Sequence, residues 1–315
     1  MEKIKIGISS CLLGERVRYD GGHKLDRYIT ETLGQFFAWA PVCPEVQYGL
    51  PVPREAMHLA GDPASPRLVT TRTGIDHTEG MLKWAGGKLK ELEQEHLCGF
   101  IFKSNSPSSG IGGVKVYTPS HMPGKKGAGI FGGAFMRHSP LIPVIDDGML
   151  HDPHLRENFI ERVFVYKRWQ EFILKGSSIR DLVTFHTQQK LLILSHSPKH
   201  LSILGRLVAD AKKYSREKLL SEYIRLLMKG LQLIATVKKH TNVLLHVIGY
   251  FKKHLSSEEK QELLEVIDAY NRGLIPLFVP IILIKHYVRK FDEPYLKRQS
   301  YLNPHPLELM LRNHV

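Results

Sequence analysis

The sequence predicts two domains of different class: an α/β domain with a parallel or mixed sheet and flanking helices over residues 1–150, followed by an all-α domain over residues 151–315. The chain of 315 residues is long enough for two domains of ordinary size. Strand-like runs alternate with helical stretches in the first domain, whereas only helical periodicity continues in the second. The boundary is expected between Asp146 and His154.

Three strands of the first domain are expected to end in loops with reactive or polar side chains. The alternating run from Lys3 to Ser10 stops at Cys11, and a short apolar run meets prolines on either side of Cys43. A third run, residues 98–103, is followed by a serine-rich segment at residues 104–110. Because ligands bind at the carboxyl ends of strands in open α/β sheets, the three loops are expected to meet at one edge.

Helices are expected between these strands and throughout the second domain. In the first domain they are expected over residues 25–37 and 81–96. In the second domain, apolar residues recur at helical spacing in four stretches, residues 185–194, 218–233, 243–251 and 258–271.

The composition excludes several classes of protein. Hydrophobic residues make up 43% and charged residues 24% of the chain, which is typical of a soluble globular protein. The longest apolar run, residues 274–284, contains two prolines and is much shorter than the roughly 20 residues that cross a bilayer. Three cysteines are too few for a disulfide scaffold and favour a reducing compartment. We therefore expect a cytoplasmic protein that does not bind a membrane. No protein partner is predicted.

The positive charge is concentrated in the second domain. Residues 1–150 carry 17 Lys and Arg against 15 Asp and Glu, whereas residues 151–315 carry 27 against 16, a net charge of +11. Such a domain attracts polyanions, and nucleic acid is the commonest of these in a cytoplasm. The alternative is an ordinary solvated lysine surface. Candidate RNA contacts are Lys238, Lys239, His240, Lys252 and Lys253, with Arg206, Lys212 and Lys213 as further bases and Tyr250 or Phe251 for stacking.

A glycine motif, G-x-G-x-x-G, occupies residues 127–132, and Asp147 follows its first glycine by 20 residues. Its context disfavours a dinucleotide-binding fold, because residues 123–127 read as a polar loop and residues 133–144 leave no room for the helix of a βαβ unit. The loop could still bind phosphate through its backbone N–H groups and its two lysines.

The cysteines are candidates for metal ligation. Cys11 and Cys43 lie in loops at strand ends, where a ligand would be displayed, and thiolates are the usual ligands of iron–sulfur clusters. The alternative is a buried structural thiol, a common fate of free cysteines. Cys98 begins its strand-like run, so we expect it to be structural and remote from the active edge.

Ten blocks of sequence, in the same order, resemble the two-domain proteins that join a DUF523 domain, the thiouracil desulfidase family, to a DUF1722 domain. The resemblance covers nearly the whole chain. Its blocks are residues 10–14, 17–21, 43–45, 103–110 and 114–117 in the first half, and residues 185–190, 196–198, 239–243, 246–251 and 285–287 in the second.

The resemblance implies an enzyme that removes sulfur from 4-thiouridine in tRNA and releases uridine and sulfide. In such enzymes a [4Fe-4S] cluster is held by three cysteines, and its fourth iron is left open to take the sulfur. By position, Cys11 and Cys43 would be cluster ligands, Glu45 would be the acid/base, and Ser106 would position the substrate. The domain at residues 151–315 would bind the RNA.

The chain departs from the family pattern at Ser109, which stands where the family has the third cysteine. A hydroxyl is a harder and poorer iron ligand than a thiolate. An engineered replacement, a cluster with altered ligation and a homologue without a cluster all fit this residue. Two further functions therefore remain open: desulfidation of free thiolated uracil nucleotides, and RNA binding without a cluster.

Overall fold

The structure is a computed structural model that describes residues 3–118, 123–176, 178–309 and 311–313. It consists of two compact units, Met1–Asp152 and Pro153–Val315. The predicted fold class is confirmed, because the first unit contains parallel and mixed sheets with flanking helices and the second is built of helices. Within the described ranges, no helix is both long enough and apolar enough to span a membrane.

The main sheet of the first unit has four parallel strands. Their order across the sheet is β2 (Phe37–Val42), β1 (Ile4–Ser9), β5 (Phe100–Phe102) and β8 (Val144–Asp146). Ser9 pairs with Val42 and Phe102 pairs with Asp146. All four strands therefore end at the same edge, and the segments that follow them are brought together there.

A second sheet is mixed. Its order is β4 (Ser65–Thr70), β3 (Met57–Asp62), β6 (Val114–Tyr117) and β7 (Pro123–Gly127). The β3–β6 pair is parallel, and the other two pairs are antiparallel.

Helices α2 (Thr78–Gln94) and α3 (Ile130–His138) contribute to the cores of both sheets. Leu89 and Phe135 pack in a cluster with the main-sheet residues Phe100 and Phe102. Met81 and Ile130 pack against the apolar face of the second sheet. The first unit also has two short helices, α1 (Pro44–Tyr48) and α4 (Asp147–Leu150).

Two local predictions were wrong. The helix expected over residues 25–37 is reduced to a π-helical turn (Tyr28–Thr32) and a 3-10 turn (Leu33–Gln35), because Phe37 already pairs with Ile4 at the start of β2. Residues 123–127, read as a loop, form strand β7. Helix α3 follows it, but β7 and β8 belong to different sheets, so β7, α3 and β8 do not form a βαβ unit.

The second unit contains eight α-helices in its described part, besides three short 3-10 helices. They are α5 (Pro153–Leu174), α6 (Ile179–His196), α7 (Pro198–Ala209), α8 (Arg216–Leu231), α9 (Val237–Ile248), α10 (Ser257–Asn271), α11 (Phe278–Lys290) and α12 (Pro294–Lys297). Five of them are capped at the N-terminus by a hydroxyl that accepts a hydrogen bond from a backbone N–H of the first turn. The capping residues are Ser178, Ser197, Ser215, Thr236 and Ser256. The helices predicted from periodicity are all present, with ends that differ by a few residues.

A buried ionic cluster lies inside the second unit. Arg312 donates from Nη2 to Oε1 of Glu161 over 2.6 Å, and its backbone N–H donates to Glu157 over 3.2 Å. The other oxygen of Glu161 lies 3.2 Å from Nε2 of His196. One guanidinium thus offsets the charge of two buried carboxylates, which would otherwise be costly to desolvate.

Candidate active site

A cavity of about 310 Å³ lies at the carboxyl edge of the main sheet. The segment after each strand either lines the cavity or holds a residue that lines it. Cys43 follows β2, Cys11 follows β1, and Lys103 follows β5. Asp147, which follows β8, is bound to Lys103. The predicted convergence of the strand-end loops is therefore present in the structure.

Both predicted thiol ligands are buried at the cavity wall and are free of disulfide bonds. Burial raises the pKa of the Cys11 thiol to about 11, against the opposing effect of Lys103. Burial, followed by the charge of Glu45, raises the pKa of the Cys43 thiol to about 12. Both thiols are therefore protonated at neutral pH in the absence of a metal, and metal binding would release these protons.

Glu45 lies between the second thiol and the serine-rich loop. Its Oε1 accepts a hydrogen bond from the Ser108 hydroxyl over 2.5 Å. Its Oε2 accepts one from the Cys43 thiol over 3.5 Å and lies 3.8 Å from Nη2 of Arg54. The carboxylate is thus fixed on both oxygens while it still lines the cavity.

Arg54 connects this carboxylate to the turn at residues 17–22. Its Nη1 donates to the carbonyl of Val17 over 3.0 Å, and its backbone N–H donates to the carbonyl of Tyr19 over 2.8 Å. Its side chain is only 7% exposed. Arg54 therefore holds the wall of the cavity at the same time as it neutralises Glu45.

The serine-rich loop is fixed by hydrogen bonds among its own residues. The Ser106 hydroxyl accepts from the backbone N–H of Ser109 over 3.1 Å and lies 3.0 Å from the Ser108 hydroxyl. Ser108 is fully buried, and the Ser109 hydroxyl lies 3.5 Å from that of Ser108. Ser106 and Ser109 both line the cavity.

The glycine motif holds the serine-rich loop in place. The N–H groups of Phe131 and Gly132, at the start of α3, donate to the Ser108 carbonyl over 2.8 and 3.1 Å. A Cβ atom on Gly132 would lie 2.6 Å from the Ser109 carbonyl oxygen, and one on Gly129 would lie 2.6 Å from the Ser108 carbonyl carbon. The glycines are thus needed for close packing. The phosphate-binding loop expected at residues 123–127 is instead strand β7, which pairs with β6.

Lys103 and Asp147 form a partly buried ion pair between the segments that follow β5 and β8. Lys103 Nζ donates to Oδ2 of Asp147 and to the Ser104 hydroxyl, each over 2.8 Å. Burial alone would raise the pKa of Asp147, but hydrogen bonds from Lys103 and Ser104 hold it below its usual value. A fixed positive charge therefore stands near Cys11.

An iron–sulfur cluster is usually held by cysteine thiolates, and three candidate donors line the cavity. Cys11 and Cys43 supply two thiols, and the Ser109 hydroxyl is the third donor. Cys98 does not belong to the site, because its backbone N–H bonds to Lys5 near the other end of β1. Across the described residues, no three His, Cys, Asp or Glu side chains form a metal site by themselves. The donors that the cavity offers to a cluster are therefore two thiols and one hydroxyl.

The predicted RNA contacts of the second unit need two corrections. His240 is buried, and its Nδ1 lies 3.0 Å from the Tyr301 hydroxyl, so it is not available to RNA. Phe251 is fully buried and cannot stack on a base. Lys239 is partly buried, and its Nζ donates to the carbonyls of His196 and Ile234. The other candidate bases are exposed: Lys238, Lys252, Lys253, Arg206, Lys212 and Lys213.

Together, the fold and the cavity define an α/β domain with paired thiols and a carboxylate at its strand ends, followed by a helical domain. Two family models match this division. A model described as 2-thiouracil desulfurase matches residues 6–147, and one described as a protein of unknown function (DUF1722) matches residues 190–306. The chain belongs to the thiouracil desulfidase family, in the form that carries a DUF1722 domain.

Similar proteins cover one part of the chain or another. The uncharacterized protein YbgA of Escherichia coli is 33% identical over 153 residues, which are 48% of this chain and 90% of that protein. The uncharacterized protein YbbK of Bacillus subtilis is 32% identical over 110 residues, which are 33% of this chain and 72% of that protein. A solved structure, the [4Fe-4S]-dependent thiouracil desulfidase TudS, is 31% identical and covers 47% of this chain and 93% of its own, with a TM-score of 0.39.

Sequence reasoning missed several residues that shape the cavity. Arg54 and Ser108 hold Glu45, and Asp147 holds Lys103. The sequence around Arg54, which follows two prolines, does not indicate that this residue pairs with a carboxylate elsewhere in the chain. Asp147 carries a usable signal, because it directly follows a strand, as Cys11 and Cys43 do.

Proposed function

We propose that this protein is a desulfidase that converts 4-thiouridine in tRNA to uridine and releases sulfide. The observation that carries the proposal is the convergence of two buried thiols and one fixed carboxylate, Glu45, on a single cavity at the strand ends. The family model matched to residues 6–147 supports the reaction class. The net charge of +11 in residues 151–315 supports an RNA substrate.

The overall reaction is a hydrolysis. The carbon–sulfur double bond of the thiolated base is replaced by a carbon–oxygen double bond, and one water molecule supplies the oxygen and the two hydrogens of the hydrogen sulfide that leaves. Nothing is oxidised or reduced. The protein must therefore bind the base, bring a water molecule to the ring carbon and move protons from oxygen to sulfur.

Glu45 is the residue that manages the protons. A carboxylate within reach of a bound water can accept a proton from it and return one to the departing sulfur. The Ser108 hydroxyl and Arg54 hold the two oxygens of Glu45 at fixed positions, which keeps the carboxylate oriented without occupying all of its acceptor sites. Ser106 lines the same cavity and can position the base.

Cys11 and Cys43 would hold the iron–sulfur cluster, with Ser109 as the third donor. Such a cluster supplies a Lewis-acidic iron that binds sulfur and makes the ring carbon more open to water. The Lys103 ammonium, fixed by Asp147, adds a positive charge beside Cys11 that favours anionic groups in the cavity.

The test is anaerobic iron–sulfur reconstitution of the protein and of its Ser109→Cys variant, followed by measurement of sulfide release from thiolated tRNA. Visible absorbance reports whether a cluster is bound. We expect both proteins to bind a cluster and to release sulfide. A cluster-loaded protein that releases none from thiolated tRNA would contradict the proposal. Equal turnover of tRNA and of a free thiolated uracil nucleotide would assign the mononucleotide as substrate.

Ser109 itself favours a second candidate, an RNA-binding protein without a cluster. The replacement of a soft thiol by a hard hydroxyl weakens iron ligation, while the exposed bases of the second unit are unaffected. This candidate predicts that only the Ser109→Cys variant binds iron, whereas both proteins bind tRNA with strong salt dependence. A protein that does not bind tRNA even at low salt would contradict both functions.

A further inference from the structure

The mouth of the cavity carries an arginine and a tyrosine that the proposed chemistry does not use. Arg18 and Tyr19 both line the cavity. The tyrosine is 45% exposed, and the guanidinium carbon of Arg18 lies 5.5 Å from the centre of its ring. Because Tyr19 lines the cavity and nearly half of it is exposed, its ring is accessible to a ligand that enters the cavity.

The backbone holds this exposed ring in a fixed position. The turn is closed by hydrogen bonds from the Gly21 N–H to the Arg18 carbonyl over 2.9 Å and from the Arg18 N–H to the Gly22 carbonyl over 3.2 Å. The Tyr19 carbonyl accepts the backbone N–H of Arg54 over 2.8 Å. The ring is therefore presented by a rigid turn that is attached to the same residue that contacts Glu45.

Arg18 is the cation of the cavity that can most easily change its partner. Arg54 and Lys103 each pair with a partly buried carboxylate and donate to a backbone carbonyl. The Arg18 guanidinium, in contrast, lies 3.6 Å from an Asp20 carboxylate whose side chain is 49% exposed. An exposed ion pair of this kind is weak, whereas a guanidinium binds phosphate through two parallel hydrogen bonds. A phosphate can therefore replace Asp20 as its partner.

We propose that Arg18 and Tyr19 form a nucleotide subsite that recognises uridine carrying a phosphate on its ribose. Tyr19 provides the face on which the uracil ring stacks, and Arg18 binds the phosphate. The inference rests on the proposed function, because it assumes that a uracil base enters this cavity. Both a mononucleotide and an RNA chain supply such a phosphate, so the experiment includes both.

The experiment measures the binding of sulfur-free ligands to the full-length protein by calorimetry, so that no turnover is needed. The probes are uridine, uridine 5′-monophosphate and a short oligouridylate. The unmodified protein is expected to bind the monophosphate at least about tenfold more tightly than uridine. Arg18→Gln is expected to abolish this preference without changing the affinity for uridine, and Arg18→Lys is expected to retain part of it. Tyr19→Ala is expected to weaken all three ligands by about tenfold.

Arg27→Gln is the matched control, because the Arg27 side chain is 83% exposed and does not line the cavity. It should leave every affinity unchanged.

Equal binding of uridine and its monophosphate by the unmodified protein would overturn the proposal, as would an unchanged preference in Arg18→Gln. An oligouridylate that binds more tightly than the monophosphate, with the gain lost in Arg18→Gln, identifies RNA as the source of the phosphate. Equal affinities for the oligouridylate and the monophosphate identify the mononucleotide as the source of the phosphate. If these ligands bind as expected but no sulfide is released, the proposed function fails and the subsite stands.

Discussion

Ser108 donates its hydroxyl hydrogen to Oε1 of Glu45 over 2.5 Å, although the two residues lie 63 positions apart in the chain. This bond joins the loop after β5 to the segment after β2, across the strand β1 that lies between them. The orientation of the proposed acid/base thus depends on how the serine-rich loop is docked.

Ser108→Ala removes the hydrogen bond to Glu45 and leaves a partly buried carboxylate oxygen without its donor. An unsatisfied buried acceptor costs about 1–3 kcal/mol, so we expect a loss of that size in the free energy of unfolding, together with slower sulfide release. Chemical denaturation and the sulfide assay measure the two effects. Ser65→Ala, at an exposed position on β4, is the control and should change neither. A Ser108→Ala protein with full activity would show that Glu45 does not need this partner.

Gly132→Ala tests the docking of the loop on α3. The added methyl group would lie 2.6 Å from the carbonyl oxygens of Ser109 and Gly110, so the loop must move away. We expect weaker iron binding during reconstitution and a lower unfolding midpoint. Gly86→Ala is the matched control: it lies in α2 with nothing within 4 Å, and it should stabilise the protein by about 0.5–1 kcal/mol. Unchanged iron binding in Gly132→Ala would contradict the proposed role of the glycine motif.

Arg312→Met tests the ionic cluster of the second unit. Arg312 offsets the charge of Glu157 and Glu161, both buried, and burial together with the charge of Glu161 raises the pKa of Glu157 to about 7. Removing the cation leaves buried charge uncompensated, which costs about 3–5 kcal/mol. Denaturant unfolding measures this loss. Arg225→Met removes an exposed ion pair with Glu222 and should cost less than about 1 kcal/mol. Similar losses in the two variants would contradict the interpretation of the cluster.

His186 should make the second unit sensitive to acid. Burial, with a smaller effect of Lys190, lowers the pKa of His186 to about 4, whereas the unfolded chain takes up the proton near pH 6.5. Its contribution to stability is therefore complete above pH 6.5 and is lost as the pH falls toward 4. The loss is on the order of 3 kcal/mol. Unfolding curves at pH 7 and pH 4.5 measure it, and His186→Gln should reduce the difference. An unchanged difference would exclude His186 as its source.

The positions of the two thiols could be predicted from the sequence, because each follows an apolar run that ends in turn residues. The meeting of the ends of β1, β2 and β5 at one edge follows from the parallel sheet. The contacts of Glu45 could not be predicted, because Arg54 and Ser108 reach it from other segments. These contacts depend on how α3 holds the serine-rich loop.

The two wrong local predictions have a common cause. Phe37 lies in a strand because it pairs with Ile4, and residues 123–127 form a strand because they pair with β6. Residues 123–127 show no strand pattern by themselves, so pairing with a distant segment decided their conformation. The apolar run before Cys43 was expected to be a strand, and pairing with β1 extends that strand back to Phe37. His240 shows the same limit in the helical unit: a basic residue among lysines reads as exposed, but its ring is buried against Tyr301.

The most direct test of the central claim is sulfide release from thiolated tRNA by the reconstituted protein and by its Glu45→Gln variant, with iron content matched. The account predicts that the unmodified protein releases sulfide and leaves uridine in the tRNA, and that Glu45→Gln is slower by about 100-fold to 10,000-fold. Glu79→Gln, an exposed carboxylate on α2, should match the unmodified protein. Equal rates for Glu45→Gln and the unmodified protein, or no sulfide from a protein that holds its cluster, would contradict the account.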